Sequence, residues 1–234
     1  MTAQVHLIVT CLKPELLDSA LLVFKSLRTG FPTAKVNVYA NALPGYALDR
    51  LEAIVGRFGV ISELISHDSW IERLLEVNSE PFWICDTDIV FFDSVEDFTA
   101  PLFGGRFEPS FEDEWTKTTH MACLHPSLMY FNPVALRCTF REWRGEHIPR
   151  FFPNLISNFI RQQMVPHNGK VLFWDTCAGL HHAFEGTRFS DEMNAKFEHL
   201  HCGTVADSIS KEVPSLSNLI DRSEERRVGK ECRL

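Results

Sequence analysis

The chain of 234 residues predicts an α/β fold of three layers, α/β/α, around a central, mostly parallel sheet. Three observations carry that expectation. Strand and helix patterns alternate through the first hundred residues, which implies parallel strands joined by right-handed crossovers. The run Phe82-Trp83-Ile84-Cys85 is apolar without alternation, so it reads as a strand buried on both faces. A composition of 45% hydrophobic and 23% charged residues suits a large soluble domain with a substantial core.

Val5 to Thr10 reads as the first strand. Pro14 and Glu15 open a helix whose apolar positions Leu16, Leu17, Ala20, Leu21, Phe24 and Leu27 recur at helical spacing, with Gly30 beyond its end. Val36 to Ala40 is the second strand, followed by a Pro44-Gly45 turn. A helix from Leu48 to Phe58 carries Leu51, Ile54 and Val55 on one face, and Gly59 is placed to end it. Val60 to Ile65 forms the third strand. Ser69 and Glu72 then make a capping box for a helix through Leu74 and Leu75. Phe82 to Cys85 is the fourth strand.

The second half is less regular. Phe103 to Thr119 is polar and acidic, with an isolated Trp115, and reads either as a functional lid or as a solvated loop. Leu128 to Phe131 is a strand, followed by a helix from Asn132-Pro133 through Trp143 and another from Asn154 to Met164. Val171 to Trp174 is a late strand, and Phe197 to Cys202 a last short one. Residues 1–220 form a single domain on this reading. The stretch from Asp221 to Leu234 has nine charged residues among fourteen and no apolar period. It reads as foreign or frame-shifted coding, or else as a native disordered tail.

Charge and cysteine usage exclude some functions. A net charge of -8 and a pI near 5.7 argue against binding nucleic acid through a basic surface. No apolar stretch approaches a membrane span, and the N-terminus lacks a secretory pattern. Seven scattered cysteines indicate reduced thiols and a cytoplasmic protein.

Asp86-Thr87-Asp88 follows the fourth strand directly, and Ile89-Val90-Phe91-Phe92 follows it in turn. Two carboxylates at the end of a buried strand are costly to desolvate unless a cation or donors meet them. In an extended chain, side chains two apart also project to one side. The pattern suggests a divalent cation whose shell is completed by phosphate oxygens. Sheets of this class bind ligands beyond the carboxyl ends of their strands. That places Thr10, Cys11 and Leu12, then Ser66, His67 and Asp68, then Asp86 to Asp88, on one rim. Asp175 also ends an apolar strand. It is a candidate for holding a hydroxyl or acting as a general base, and equally for capping the helix that follows. Trp115 and Trp174 are the tryptophans best placed to stack on a ligand. His181 and His182 read as ordinary helix residues.

The apolar strand, the Asp-x-Asp and its position after three strand-helix units resemble the GT-A glycosyltransferases, of the nucleotide-diphospho-sugar transferase superfamily, over residues 5 to 205. The resemblance implies a donor substrate that is a nucleotide-diphosphate sugar, a sugar, glycan or small-molecule acceptor, and Mn2+ or Mg2+ bridging the diphosphate. It implies Asp86 as a ribose or metal contact, Asp88 as a metal ligand, and a late histidine completing the shell: His201, with His199 next. Thr10, Cys11 and Leu12 then correspond to contacts with the nucleotide base, and His125-Pro126-Ser127 to a pocket-lining segment. Carboxylates suit either metal, and the added imidazole favours Mn2+. No Lys-Pro-Trp run follows the late histidine. Two other readings remain: a haloacid-dehalogenase-type phosphatase, whose first motif resembles Asp86 to Val90, and a non-catalytic sugar-nucleotide-binding protein.

Overall fold

The computed structural model describes residues 3–10, 24, 26–113, 116–142 and 159–199. Cys11, Leu12, Trp115 and His201, most of the predicted first helix, the start of the one predicted from Asn154, and the tail from Asp221 lie outside the described residues. The chain is mixed α/β with a large, mostly parallel central sheet of seven strands. It divides into two compact units. One comprises residues up to Leu64, Cys85–Phe98 and those from Asp191; the other comprises Ile65–Ile84 and Thr99–Ser190.

In the first unit, β1 (Gln4–Val9) is buried from Val5 to Val9, as its apolar run requires. It pairs in parallel with β2 (Lys35–Asn41), from Gln4↔Lys35 to Val9↔Ala40. β3 (Gly59–Ile61) lies parallel on the far side of β2. The helix Gly45–Val55 packs Ala47 and Leu51 against Val9, Val38, Ala40 and Leu43. It ends earlier than predicted. Gly56 adopts φ 73, a left-handed value that glycine takes without steric cost, and its N–H bonds the Glu52 carbonyl at 2.9 Å. Gly59, predicted as the stop, instead opens β3, which has three residues rather than the predicted six.

β5 (Ile89–Phe91) is wholly buried and pairs antiparallel with β13 (Phe197–His199), setting His199 opposite Ile89. Phe91 meets Phe31 edge-on at 5.3 Å. A Cβ on Gly30 would fall 2.4 Å from the Phe91 ring, so only glycine fits that position.

In the second unit, the helix His67–Val77 buries Trp70, Ile71, Leu74 and Leu75. The predicted capping box does not form: Ser66 is the N-cap residue, without a side-chain cap bond, and Ser69 lies inside the helix. β4 (Phe82–Cys85) is buried throughout. β6 (Phe103–Glu108) pairs antiparallel with β9 (Cys123–Phe131), with a register shift between Gly105 and Phe107, and β12 (Thr187–Arg188) runs parallel to β6. Within this unit the sheet order is β12-β6-β9-β4. Pro126, which cannot donate to a ladder, lies within β9 between the residues paired on either side of the shift. His125-Pro126-Ser127 is thus inside a strand, not ahead of one. The helix Pro133–Glu142 starts as predicted, with Asn132 Oδ1 accepting the Ala135 N–H at 3.3 Å.

A separate four-stranded sheet has the order β10 (Gln163–His167), β11 (Lys170–Trp174), β8 (Thr118–His120), β7 (Phe111–Asp113). It overturns two expectations. The segment from Phe103 to Thr119 is largely strand rather than a lid or loop. Gln163 and Met164, predicted as helix, begin a hairpin that turns at Asn168 and Gly169, both at positive φ (49 and 78).

Among the described residues Cys85, Cys123, Cys138 and Cys177 are free thiols, and no helix is long and apolar enough to cross a membrane.

Candidate functional site

Asp86 to Asp88 connects β4 to β5 as a turn rather than as extended chain, so the same-side argument from strand geometry does not apply to it. What the turn achieves is burial. Asp88 is 6% exposed, and its Oδ2 lies 3.1 Å from His199 Nε2. The β5–β13 pairing sets that distance, because it fixes His199 beside Ile89. Asp88 Oδ1 is buried and has no hydrogen-bond partner among the described residues. Nearly all buried polar atoms are satisfied, and a bare carboxylate oxygen away from water is costly. Asp86 is half-buried. The adjoining Cys85 thiol is pushed well above its usual range by burial, then by the charges of Asp86 and Asp88.

A hard carboxylate oxygen without a partner, next to an imidazole nitrogen, fits a divalent cation. Among the described residues no group of three or more His, Cys, Asp or Glu side chains could hold a metal. The described residues therefore offer such an ion two donors here, and the rest of its shell would come from elsewhere. Of the two predicted late histidines, His199 is in contact with Asp88, and His201 lies outside the described residues.

At the end of β1, Thr10 Oγ1 accepts a hydrogen bond from Asn41 Nδ2 at 2.8 Å, and Asn41 is 2% exposed. Sequence reading passed over Asn41. Its only signal is an amide at the end of the run that forms β2.

The second unit brings Asp68 and Asp175 onto one residue, Gln162. Gln162 Nε2 donates to Asp175 Oδ1 at 3.1 Å, and its backbone N–H donates to Asp68 Oδ2 at 3.3 Å. Asp175 Oδ1 also accepts the Thr176 N–H at 2.7 Å. Asp68 Oδ1 accepts the Ser69 N–H at 2.7 Å and the Ser66 hydroxyl. Asp68 thus lies in the first turn of a helix, where a negative charge is favourable, and not in a free loop. Asp175 is not the cap of the next helix. That helix, Ala178–Phe184, starts after Cys177, which occupies the N-cap position at φ 64. The Cys177 thiol is pushed well above its usual range by burial, then by Asp175, Cys123 and Asp68. Gln162 went unnoticed because its segment read as helix.

Trp174 does not present a stacking face: it is 5% exposed and meets His182 edge-on at 5.2 Å. His181 packs beside Phe107, whose ring also lies under Arg188 at 3.5 Å. Burial lowers the His181 pKa, and Arg188 lowers it further.

No protein-family model matches the chain, and no curated protein does. Solved glycosyltransferases are similar to it at low identity. The apo form of GlyE from Streptococcus pneumoniae is 9% identical, with a TM-score of 0.44 over 82% of this chain and 46% of that one. The galactosyltransferase LgtC, in complex with donor and acceptor sugar analogs, is 12% identical, with a TM-score of 0.40 over 58% of this chain and 59% of that one. The mannosyltransferase PcManGT from Pyrobaculum calidifontis, in complex with GDP-Man and Mn2+, is 11% identical, with a TM-score of 0.38 over 72% of this chain and 56% of that one. The chain spans roughly half the length of these solved chains.

Proposed function

We propose that the chain is a metal-dependent glycosyltransferase that moves a sugar from a nucleotide-diphosphate donor to a hydroxyl acceptor. The observation that carries this reading is Asp88: a buried carboxylate with one oxygen on His199 and the other without a hydrogen-bond partner among the described residues. Asp88 and His199 would hold Mn2+ or Mg2+, with Asp86 and the predicted His201 as further contributors. The bound ion supplies positive charge against the diphosphate leaving group, whose negative charge grows in the transition state.

The chain's own residues do the rest. Thr10, held by Asn41, contacts the nucleotide base, together with Cys11 and Leu12. Asp175 orients the acceptor hydroxyl. Among the described residues both its side-chain hydrogen bonds go to Oδ1, so Oδ2 is the oxygen assigned to receive the hydroxyl proton's bond. Gln162 joins Asp175 to Asp68, so the two carboxylates share one support.

The test is a thermal-shift panel of UDP, GDP, CDP and ADP, each with and without Mn2+. One nucleotide is expected to raise Tm only with metal, because a ligand bound by the native state alone stabilises it. Equal stabilisation without metal would remove the role given to Asp88. No shift with any nucleotide would overturn the reading.

A further inference from the structure

In the first unit, β3 ends the central sheet, and among the described residues it is hydrogen-bonded to β2 alone. The Ile61 carbonyl accepts the Ala42 N–H at 2.8 Å, so the backbone groups of Ile61 face β2. Along a strand these groups alternate in direction from one residue to the next, so the Val60 N–H and C=O point outward at the sheet edge. Natural edges are commonly blunted by a charge or a proline. Gly59, Val60 and Ile61 carry neither, and Val60 is 63% exposed. Val60 pairs with Ala40, which packs with Ala47 and Leu51 of the helix Gly45–Val55, so its side chain lies on the helix-covered face. The flanks of β3 are matched to one another. Arg57 stands three residues before Val60 and Glu63 three residues after it, and both are exposed.

We propose that β3 pairs antiparallel with β3 of a second copy of this chain, about a two-fold axis at Val60. In that register the two Val60 residues exchange both of their N–H···O=C bonds, as a hydrogen-bonded antiparallel pair does. Their side chains lie opposite each other on the helix-covered face, so the pairing buries the side chain that β3 leaves exposed. Gly59 falls opposite Ile61 of the second copy, and Arg57 falls toward Glu63 of the second copy. Symmetry repeats both relations, as an interface of one patch with itself requires. Opposite charges facing each other across strands favour the pair, and like charges there oppose it. A register centred on Gly59 or Ile61 would separate Arg57 from Glu63, so charge complementarity selects the axis at Val60. The strands β1-β2-β3 then continue into those of the second copy as one sheet. The proposal is independent of the glycosyltransferase reading, since it uses no residue of that site.

The experiment is sedimentation velocity on the full chain from about 1 to about 100 μM, a range suited to a small interface. The wild type should pass from monomer to dimer across that range. Val60→Lys sets two like charges face to face at the axis and should stay monomeric throughout. Arg57→Glu and Glu63→Arg should each weaken the dimer by at least about fivefold, and the double variant should recover wild-type association to within about twofold. A wild type that stays monomeric overturns the proposal, as does a dimer that Val60→Lys or the single charge reversals leave unchanged. Single reversals that weaken the dimer with no recovery in the double variant overturn the register, and the proposal with it. Arg57, Val60 and Glu63 are all exposed, so each variant should keep the wild-type far-ultraviolet circular dichroism. Should Val60→Lys not fold, the charge exchange carries the test alone.

Discussion

Asp88 and Asp175 look alike in the sequence, each an aspartate next to the end of a short apolar strand, yet the fold treats them differently. Asp88 is buried, touches one imidazole and keeps an oxygen with no hydrogen-bond partner among the described residues. Asp175 is half-buried, and its own neighbour's N–H and the Gln162 amide both meet its Oδ1. The first is an electrostatic demand that the described residues do not meet; the second is a side chain already held in place. In the proposed function the first would hold the cation and the second would orient the acceptor hydroxyl.

The sharpest way to break this contrast is Asp88→Asn. In the metal-linked binding of UDP or GDP we expect a loss of at least about 100-fold, roughly 2.7 kcal/mol, with the far-ultraviolet circular dichroism unchanged. Asp175→Asn should leave the same binding curve intact, so equal losses in the two variants would erase the distinction.

Scaffold effects must be kept apart from site effects, and His6 in β1 provides the control. Burial, then the Lys35 charge, lowers its pKa from 6.5 to about 4. Above pH 6.5 the ring is neutral in both the folded and unfolded chain and contributes no slope. As pH falls from 6.5 toward 4, the unfolded chain takes up the proton and the folded one does not, so stability falls. The loss should reach about 2 kcal/mol at pH 5 and be absent in His6→Phe, as read by urea midpoints. A wild-type stability that stays flat between pH 7 and 5 would contradict this.

His199→Ala removes the imidazole but leaves the buried carboxylate. We expect about tenfold weaker Mn2+ binding, or ~1.4 kcal/mol, by metal titration. A loss as large as that of Asp88→Asn would mean that the two residues act as one unit rather than as a ligand and its partner.

The smallest effect belongs to the held carboxylate. Gln162→Ala removes one of the two hydrogen bonds to Asp175 and should cost ~1 kcal/mol or less. That corresponds to a fall of about threefold in kcat for sugar transfer, at unchanged donor KM. A change in nucleotide affinity instead would move Gln162 out of the acceptor role.

What sequence conveyed, and what it hid, follows from how local each feature is. β1 and β4 were legible because each is a short apolar run whose burial its own composition requires, and β11 because Val171 to Trp174 is an apolar run, although only Trp174 of it is buried. The end of the helix Gly45–Val55 was misplaced because two glycines compete for it, and the left-handed turn falls at Gly56. The strand β6 hid in a polar segment because its partner β9 lies well along the chain and a ladder leaves no mark on either strand alone, and β7 and β8 hid because each has three residues and no apolar run. The β10–β11 hairpin did carry a local signal, Asn168-Gly169, that outranks the weak helical pattern read before it. At the site, Asp86, Asp88, Asp175 and Asp68 could be proposed as isolated carboxylates. Gln162, which holds Asp175 and Asp68, and Asn41, which holds Thr10, could not, since an amide matters only once the fold supplies its neighbour.

The contact between Asp88 and His199 joins positions 111 residues apart. Closing so long a loop carries a large entropic cost and depends on the β5–β13 pairing that surrounds it. During synthesis, the aspartate emerges 111 residues before its imidazole. The pair is therefore assembled only after almost everything before it in the chain has been translated.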